Sequence, residues 1–283
     1  MVGYSSRYVV SDPNTVIVDT GDGPDIFAYD YLGSGPDVLF LHATGMHGRM
    51  WDPVIDRLHG LRCVSVDARG HGRSAISDDV SMEWSQAARD IESVIDTLDL
   101  SGSLSVVGHS FGGCLAMILE ISNPGLFDSA WLYEPIIGFE RLGADENPMA
   151  AAARRRREVF DSTDAAFERY TSKPPFAGCD PESVQAYVEH GFEPIDGGVR
   201  LRCRAETEAR TFEASRTDVF ERLGSVATTV TVVGSGDGGG PASSAGAVVD
   251  AIPNARLLCW EDRTHFGPLE DPARVADSIS ASL

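Results

Sequence analysis

The feature that most constrains this chain is the alternation of short β-branched runs with helix-like patterns. Val16–Val18 and Ile26–Tyr29 read as a hairpin across the Gly21/Gly23 turn. Val38-Leu39-Phe40-Leu41-His42 is an unbroken apolar run, as expected of a strand buried on both faces. A helical stretch at Trp51–Leu58, a strand at Cys63–Val66 and a helix at Trp84–Leu98 follow. In that last segment Trp84, Ala87, Ala88, Ile91, Val94, Ile95 and Leu98 share one helical face. Strand Leu104–Val107, helix Phe111–Ile121 and strand Ala130–Tyr133 continue the pattern. Strand–helix alternation implies a mostly parallel, doubly wound sheet with helices on both faces.

The rhythm stops between residues 136 and 222. That stretch carries charged, helix-like segments at Met149–Phe160, Pro181–His190 and Arg204–Leu223, and no convincing strand. Alternation then resumes with strand Val230–Val233, helix Ser243–Ala251, strand Arg256–Trp260 and a helix from Pro272. The expected organisation is an α/β core of eight strands from residues 1–135 and 223–283, interrupted by a helical cap at 136–222.

The chain has 43 acidic and 23 basic residues, a formal charge of −20, over 283 residues. Phosphate backbones and anionic headgroups require a cationic face, so nucleic acid and membrane surfaces are disfavoured as partners. No run of about 18 apolar residues is present, and the opening residues lack a cationic-then-apolar leader pattern. The five cysteines, Cys63, Cys114, Cys179, Cys203 and Cys259, form no CxxC pair. They read as reduced thiols in a cytoplasmic protein rather than a disulfide or zinc framework.

The strongest chemical signal is Gly108-His109-Ser110-Phe111-Gly112, a G-x-S-x-G sequence between a strand and a helix. Glycines two before and two after the serine allow a sharp turn that exposes its hydroxyl. The free N–H groups of the helix start suit a developing oxyanion. With its flanking strand and helix, this segment resembles the nucleophile elbow of the α/β-hydrolase family, and the resemblance extends over nearly the whole chain.

Further motifs agree with the resemblance. His42-Ala43-Thr44-Gly45 follows the third strand, where the family usually carries His-Gly-x. The resemblance implies an oxyanion hole from the backbone N–H groups of Thr44 and Phe111, with His42 a structural residue. Asp67-Ala68-Arg69-Gly70-His71-Gly72-Arg73-Ser74 matches the family's turn after the fourth strand, in which His71 is not catalytic. His265, in Thr264-His265-Phe266-Gly267, lies between the last strand and the last helix, where the family places its general base. His47, His59, His109 and His190 lack such a context.

Two acids compete to orient His265. Asp237, in Val233-Gly234-Ser235-Gly236-Asp237, occupies the usual family position. Glu134, in Tyr133-Glu134-Pro135, follows the preceding core strand, as in a minority that resembles zearalenone lactonases and some haloalkane dehalogenases. A carboxylate inside an apolar run must be paired, because burying it alone costs several kcal/mol. That favours Glu134 and leaves Asp237 as the alternative.

The resemblance implies a serine hydrolase that cleaves a carboxylic ester or lactone of a small, mostly apolar substrate. A carbon–carbon bond hydrolase of vinylogous diketones uses the same triad, and a non-catalytic ligand receptor on this fold is a remote alternative. No cofactor or metal is implied, and no His/Cys/Asp cluster has ligand spacing. The partner is a small-molecule substrate, and the chain a monomer or homodimer. Met46, His47, Trp51, Trp131 and Phe139 lie near the strand ends that build the site and are candidate pocket residues. Arg154–Arg157 reads as a solvated helix face, and Arg202, Arg204, Glu206 and Glu208 as cap ion pairs.

Overall fold

The computed structural model describes residues 12–283 apart from 22, 101, 139–146, 216–217 and 237–238. The chain opens with strands β1 (Asn14–Val18), β2 (Ile26–Asp30) and β3 (Asp37–Leu41). A 3-10 turn at Gly48–Trp51 leads into the short helix α1 (Asp52–Ile55). Then come β4 (Arg62–Val66), α2 (Trp84–Thr97), β5 (Leu104–His109), α3 (Phe111–Ser122) and β6 (Ser129–Tyr133).

The middle segment contains α4 (Pro148–Arg154), β7 (Val159–Phe160), α5 (Thr163–Thr171), α6 (Pro181–Gly191), β8 (Phe192–Ile195) and β9 (Gly198–Leu201). It continues with α7 (Ala205–Glu213) and α8 (Val219–Arg222). The core resumes with β10 (Thr229–Ser235), α9 (Ala245–Ala251), β11 (Ala255–Trp260), α10 (Gly267–Glu270) and α11 (Pro272–Ser280).

Eight strands form one sheet in the order β1-β2-β4-β3-β5-β6-β10-β11. The β1–β2 and β2–β4 pairs are antiparallel, and every other pair is parallel. Alternation along the strands explains the unbroken apolar runs. Leu39 and Leu41 of β3 pack with Leu104, Val106 and Leu132 beneath α2, α3 and α9. Val38 and Phe40 face the other way and pack with Trp131, Tyr133, Val275 and Ile279 beneath α1 and α11. Both faces are therefore covered, as a parallel sheet requires.

The chain winds from β3 to β4 on one side and then returns to place β5 on the other. A crevice opens at such a reversal, beyond the carboxyl ends of the two central strands. Residues 42–47 after β3 and Ser110 after β5 lie at that crevice.

The middle segment differs from the expected all-helical cap. Three short strands form a separate antiparallel sheet in the order β7-β9-β8. The expected helix to Phe160 ends at Arg154, and the expected helix at Arg204–Leu223 is split into α7 and α8. The β8–β9 hairpin pairs Ile195 with Gly198, leaving Asp196-Gly197 as a two-residue turn with Gly197 at φ 79°. Glycine supplies the positive φ at the second turn position, and Asp-Gly was the available sequence signal. Val159-Phe160 is too short to carry a strand pattern, and β9 alone gives it partners.

Candidate active site

The nucleophile elbow is built by close packing of backbone. Ser110 sits between β5 and α3 at φ 56°, ψ −112°, a conformation that side chains rarely adopt. Its amide donates to the Tyr133 carbonyl at 2.9 Å, and its carbonyl accepts from Ile136 N–H at 3.1 Å. A Cβ on Gly112 would lie 2.2 Å from the Leu41 carbonyl oxygen, and one on Gly108 would lie 2.7 Å from Gly113 Cα. The glycines thus let α3 press against the end of β3.

Glu134 is the second strained residue, at φ 43°. Its amide donates to the Val233 carbonyl at 2.9 Å, so it caps β6 while tied to β10. Its side chain is wholly buried. Oε1 accepts from the Ser235 N–H at 2.6 Å, and Oε2 lies 2.5 Å from His265 Nδ1. The other ring nitrogen, Nε2, lies 3.0 Å from Ser110 Oγ. Burial pushes the pKa of the Glu134 carboxyl up, but hydrogen bonds from His265 and Ser235 outweigh it and hold the group below the ordinary carboxylate range. With Glu134 ionised, Nδ1 of His265 carries the proton and Nε2 presents a lone pair to Ser110.

The loop carrying His265 is fastened at several points. His109 Nε2 lies 2.8 Å from the His265 carbonyl, Tyr133 donates its hydroxyl to the Thr264 carbonyl at 2.7 Å, and the Thr264 amide donates to Glu270 at 3.0 Å. Burial beside His265 keeps His109 neutral, its pKa well below the usual value.

The loop after β3 closes the other side. Ala68 donates its amide to His42 Nε2 at 3.0 Å, so His42 carries its proton on Nδ1, 2.8 Å from the Ala43 carbonyl. Gly112 N–H donates to the His42 carbonyl at 3.1 Å, joining this loop to the elbow. Neither Thr44 N–H nor Phe111 N–H donates to a protein acceptor among the described residues. Phe111 begins α3, whose first amides have no helical acceptor.

Residues 38–278 match the alpha/beta hydrolase family. The chain belongs to the alpha/beta hydrolase family. It is 29% identical over 204 residues to a 2-(acetamidomethylene)succinate hydrolase of Mesorhizobium japonicum, covering 71% of this chain and 70% of that protein. It is 26% identical over 267 residues to lipase LipV of Mycobacterium tuberculosis, covering 92% and 98%. The crystal structure of an E-2-(acetamidomethylene)succinate hydrolase shares the fold, with a TM-score of 0.79 at 23% identity over 95% of this chain and 98% of that one.

Within this alpha/beta hydrolase, the structure brings Ser110, His265 and Glu134 together, with Thr44 and Phe111 on the adjoining loop and helix start. Asp237 and Phe139 lie outside the described residues. Two expected pocket residues are instead core residues. Trp131 is fully buried, donates to Ser278 Oγ at 3.0 Å and packs against Trp260, because its position on β6 faces α11. Trp51 is fully buried against Phe40. Met46 and His47 are buried where the loop meets α6, and His47 stacks on Tyr187 with its Nε2 3.0 Å from the Tyr187 carbonyl.

The sequence reading missed the roles of His109 and Tyr133 as fasteners of the His265 loop. Glu208 forms an ion pair as expected, but its partner Arg156 is mostly buried beyond the end of α4 rather than on a solvated helix face, and Tyr187, which joins them at the loop after β3, was missed. Among the described residues no helix is long and apolar enough to cross a membrane, and no group of three or more His, Cys, Asp or Glu could hold a metal ion.

Proposed function

We propose that this alpha/beta hydrolase cleaves a carboxylic ester or lactone of a small, mostly apolar substrate through an acyl-enzyme. The observation that carries the reading is the continuous chain Ser110 Oγ–His265–Glu134, at 3.0 and 2.5 Å. Ser110 Oγ attacks the carbonyl carbon while its proton passes to His265 Nε2. The Thr44 and Phe111 N–H groups receive the carbonyl oxygen as it becomes an oxyanion. The tetrahedral species expels the alkoxide, which takes the proton from His265, leaving the acyl group on Ser110. Water then attacks the acyl-enzyme, its proton going to His265 and on to Ser110 as the acid departs. Glu134 holds the imidazole in the tautomer that accepts and stabilises the imidazolium.

Similarity to a lipase supports ester cleavage. Similarity to a hydrolase named for a succinate derivative favours testing a second reading, cleavage of a bond other than an ester. Hydrolysis of a vinylogous diketone by the same triad is that case.

Fluorophosphonate labelling followed by an ester, lactone and diketone panel tests both readings. Wild-type protein should be labelled at Ser110 and turn over esters or lactones. Ser110→Ala should lose labelling and about 10⁶ in turnover, as in comparable triads. Retained turnover in Ser110→Ala would sink the proposal, and turnover of the diketone alone would select the second reading.

A further inference from the structure

Three elements of the middle segment converge on the loop that follows β3. Arg156, just after α4, donates from Nη1 to Glu208 of α7 at 2.6 Å. Its Nη2 donates to the Tyr187 hydroxyl of α6 and, at 3.3 Å, to the Tyr170 hydroxyl of α5. Tyr187 in turn donates to the Gly45 carbonyl at 3.2 Å. Gly45 has φ 76°, and a Cβ there would lie 2.6 Å from Glu208 Oε1 and 3.1 Å from Arg156 Nη1. The ion pair therefore lies directly against the residue after Thr44.

Stability alone gives this arrangement little reason to exist. A mostly buried ion pair is often no better than well-packed apolar residues, because both charges must leave water. Arg156 is also already matched by Glu208, so it offers an arriving carboxylate no net positive charge. What the cluster does uniquely is fix a backbone position. From below, His42 and Gly112 tie the loop to the core. From above, His47 Nε2 meets the Tyr187 carbonyl at 3.0 Å, and the Glu208–Arg156–Tyr187 chain reaches the Gly45 carbonyl itself.

We infer that Arg156, Glu208 and Tyr187 are positioning residues that latch the cap onto the oxyanion loop and set the direction of the Thr44 N–H. The inference rests on the hydrolase reading above and deepens it. A latch acts on the oxyanion, so it serves the tetrahedral species and hardly affects binding of the planar substrate. A misplacement near 1 Å costs about 10² in rate, and losing an oxyanion donor outright costs about 10²–10³.

The test compares Tyr187→Phe, Glu208→Gln and Arg156→Lys with wild type. Tyr187→Phe removes only the hydroxyl that reaches Gly45, and Glu208→Gln keeps shape while removing the charge. Three readouts are taken: kcat and KM on the best panel ester, affinity for a boronic acid that mimics the tetrahedral species, and the rate of fluorophosphonate labelling of Ser110. The expected result is a fall of about tenfold to a hundredfold in kcat. Boronate affinity and labelling rate should fall in parallel, with KM changed less than about threefold. Thermal melts identify any variant that fails to fold, and the remaining variants then decide.

Unchanged kcat and boronate affinity in a folded Tyr187→Phe would overturn the latch. A raised KM with intact kcat would overturn it too, making the cluster a substrate-recognition site. Wild-type labelling tests the hydrolase reading separately, and its absence would remove both proposals. Normal wild-type labelling with unaltered variants removes the latch alone.

Discussion

Replacing Glu134 by Gln changes one atom in the wholly buried group that bridges Ser235 and His265. The carboxylate accepts twice, from the Ser235 amide at 2.6 Å and from His265 Nδ1 at 2.5 Å. Glutamine has one acceptor oxygen and one NH₂ donor, so it can satisfy only one of these contacts as they stand. Turning its NH₂ toward the Ser235 amide sets donor against donor and strands a buried N–H, at about 1–3 kcal/mol. Turning its oxygen to Ser235 avoids that cost and presents NH₂ to His265 Nδ1. The imidazole then answers by moving its proton to Nε2, where it faces Ser110 Oγ and can no longer accept.

The expected result is a folded protein with a loss of about 10⁴ in kcat, the size of the tautomer effect in a comparable triad. That corresponds to about 5 kcal/mol at about 1.4 kcal/mol per tenfold. Stability also responds. The folded-state pKa of Glu134 lies below its ordinary value, so its contribution is present above the ordinary carboxylate pKa and lost as pH falls through the folded value. The variant should therefore be less stable than wild type at neutral pH, with the gap closing in acid. Burst kinetics on a p-nitrophenyl ester and melts at neutral and acid pH check both statements, with Asp237→Asn as comparison. A folded Glu134→Gln within tenfold of wild type would refute the reasoning, and more so if Asp237→Asn lost the activity instead.

Two further outcomes follow from packing and charge. Gly112→Ala places a methyl 2.2 Å from the Leu41 carbonyl and 2.8 Å from that of His42, both backbone; it should cost about 1–3 kcal/mol in urea unfolding and depress activity as α3 is pushed from the oxyanion loop. Asp52, hydrogen-bonded by Tyr31 and Arg49, is raised by burial to about 6, and Asp56 is raised to about 6 by burial and by Asp52. A raised carboxyl gives stability that is full below the unfolded pKa near 4 and lost as pH rises through the folded value. Relative to Asp52→Asn, wild type should thus lose up to about 3 kcal/mol between pH 4 and 7, and pH-independent difference in melts would refute it.

The core elements could be read from sequence because their burial is two-sided and local. Val38–Leu41 is apolar at every position, and Val230–Val233 at all but the buried Thr231, since alternate residues enter opposite cores. Ser110 and His265 were legible because each sits in a short motif at a strand end. The acid was not decided by spacing. β6 and β10 are neighbours with Tyr133 opposite Val233, so Glu134 and the residues after Val233 emerge at the same edge of the sheet. Sequence spacing alone offers both carboxylates, and it is the contacts of Glu134 with Ser235 and His265 that mark it out. The middle segment resisted reading for another reason: its strands are two to four residues long, and Tyr187 meets Gly45 across 142 positions of sequence.

This difference in legibility follows how the site is held. Ser110 and Glu134 are both fixed by β6, one through the Tyr133 carbonyl and the other through the strand end tied to Val233. Ser110 and Glu134 therefore share one sheet register, and a shift of β6 must disturb them together. The loop after β3 is tied to α3 through Gly112 and to the loop after β4 through the Ala68 amide on His42, and takes further polar contacts from Tyr187 of the middle segment. The Gly45 end of this loop is held by the middle segment and not by β6. On the proposed latch, substitutions at Tyr187 or Glu208 should alter stabilisation of the tetrahedral species while the Ser110–His265–Glu134 distances stay as they are.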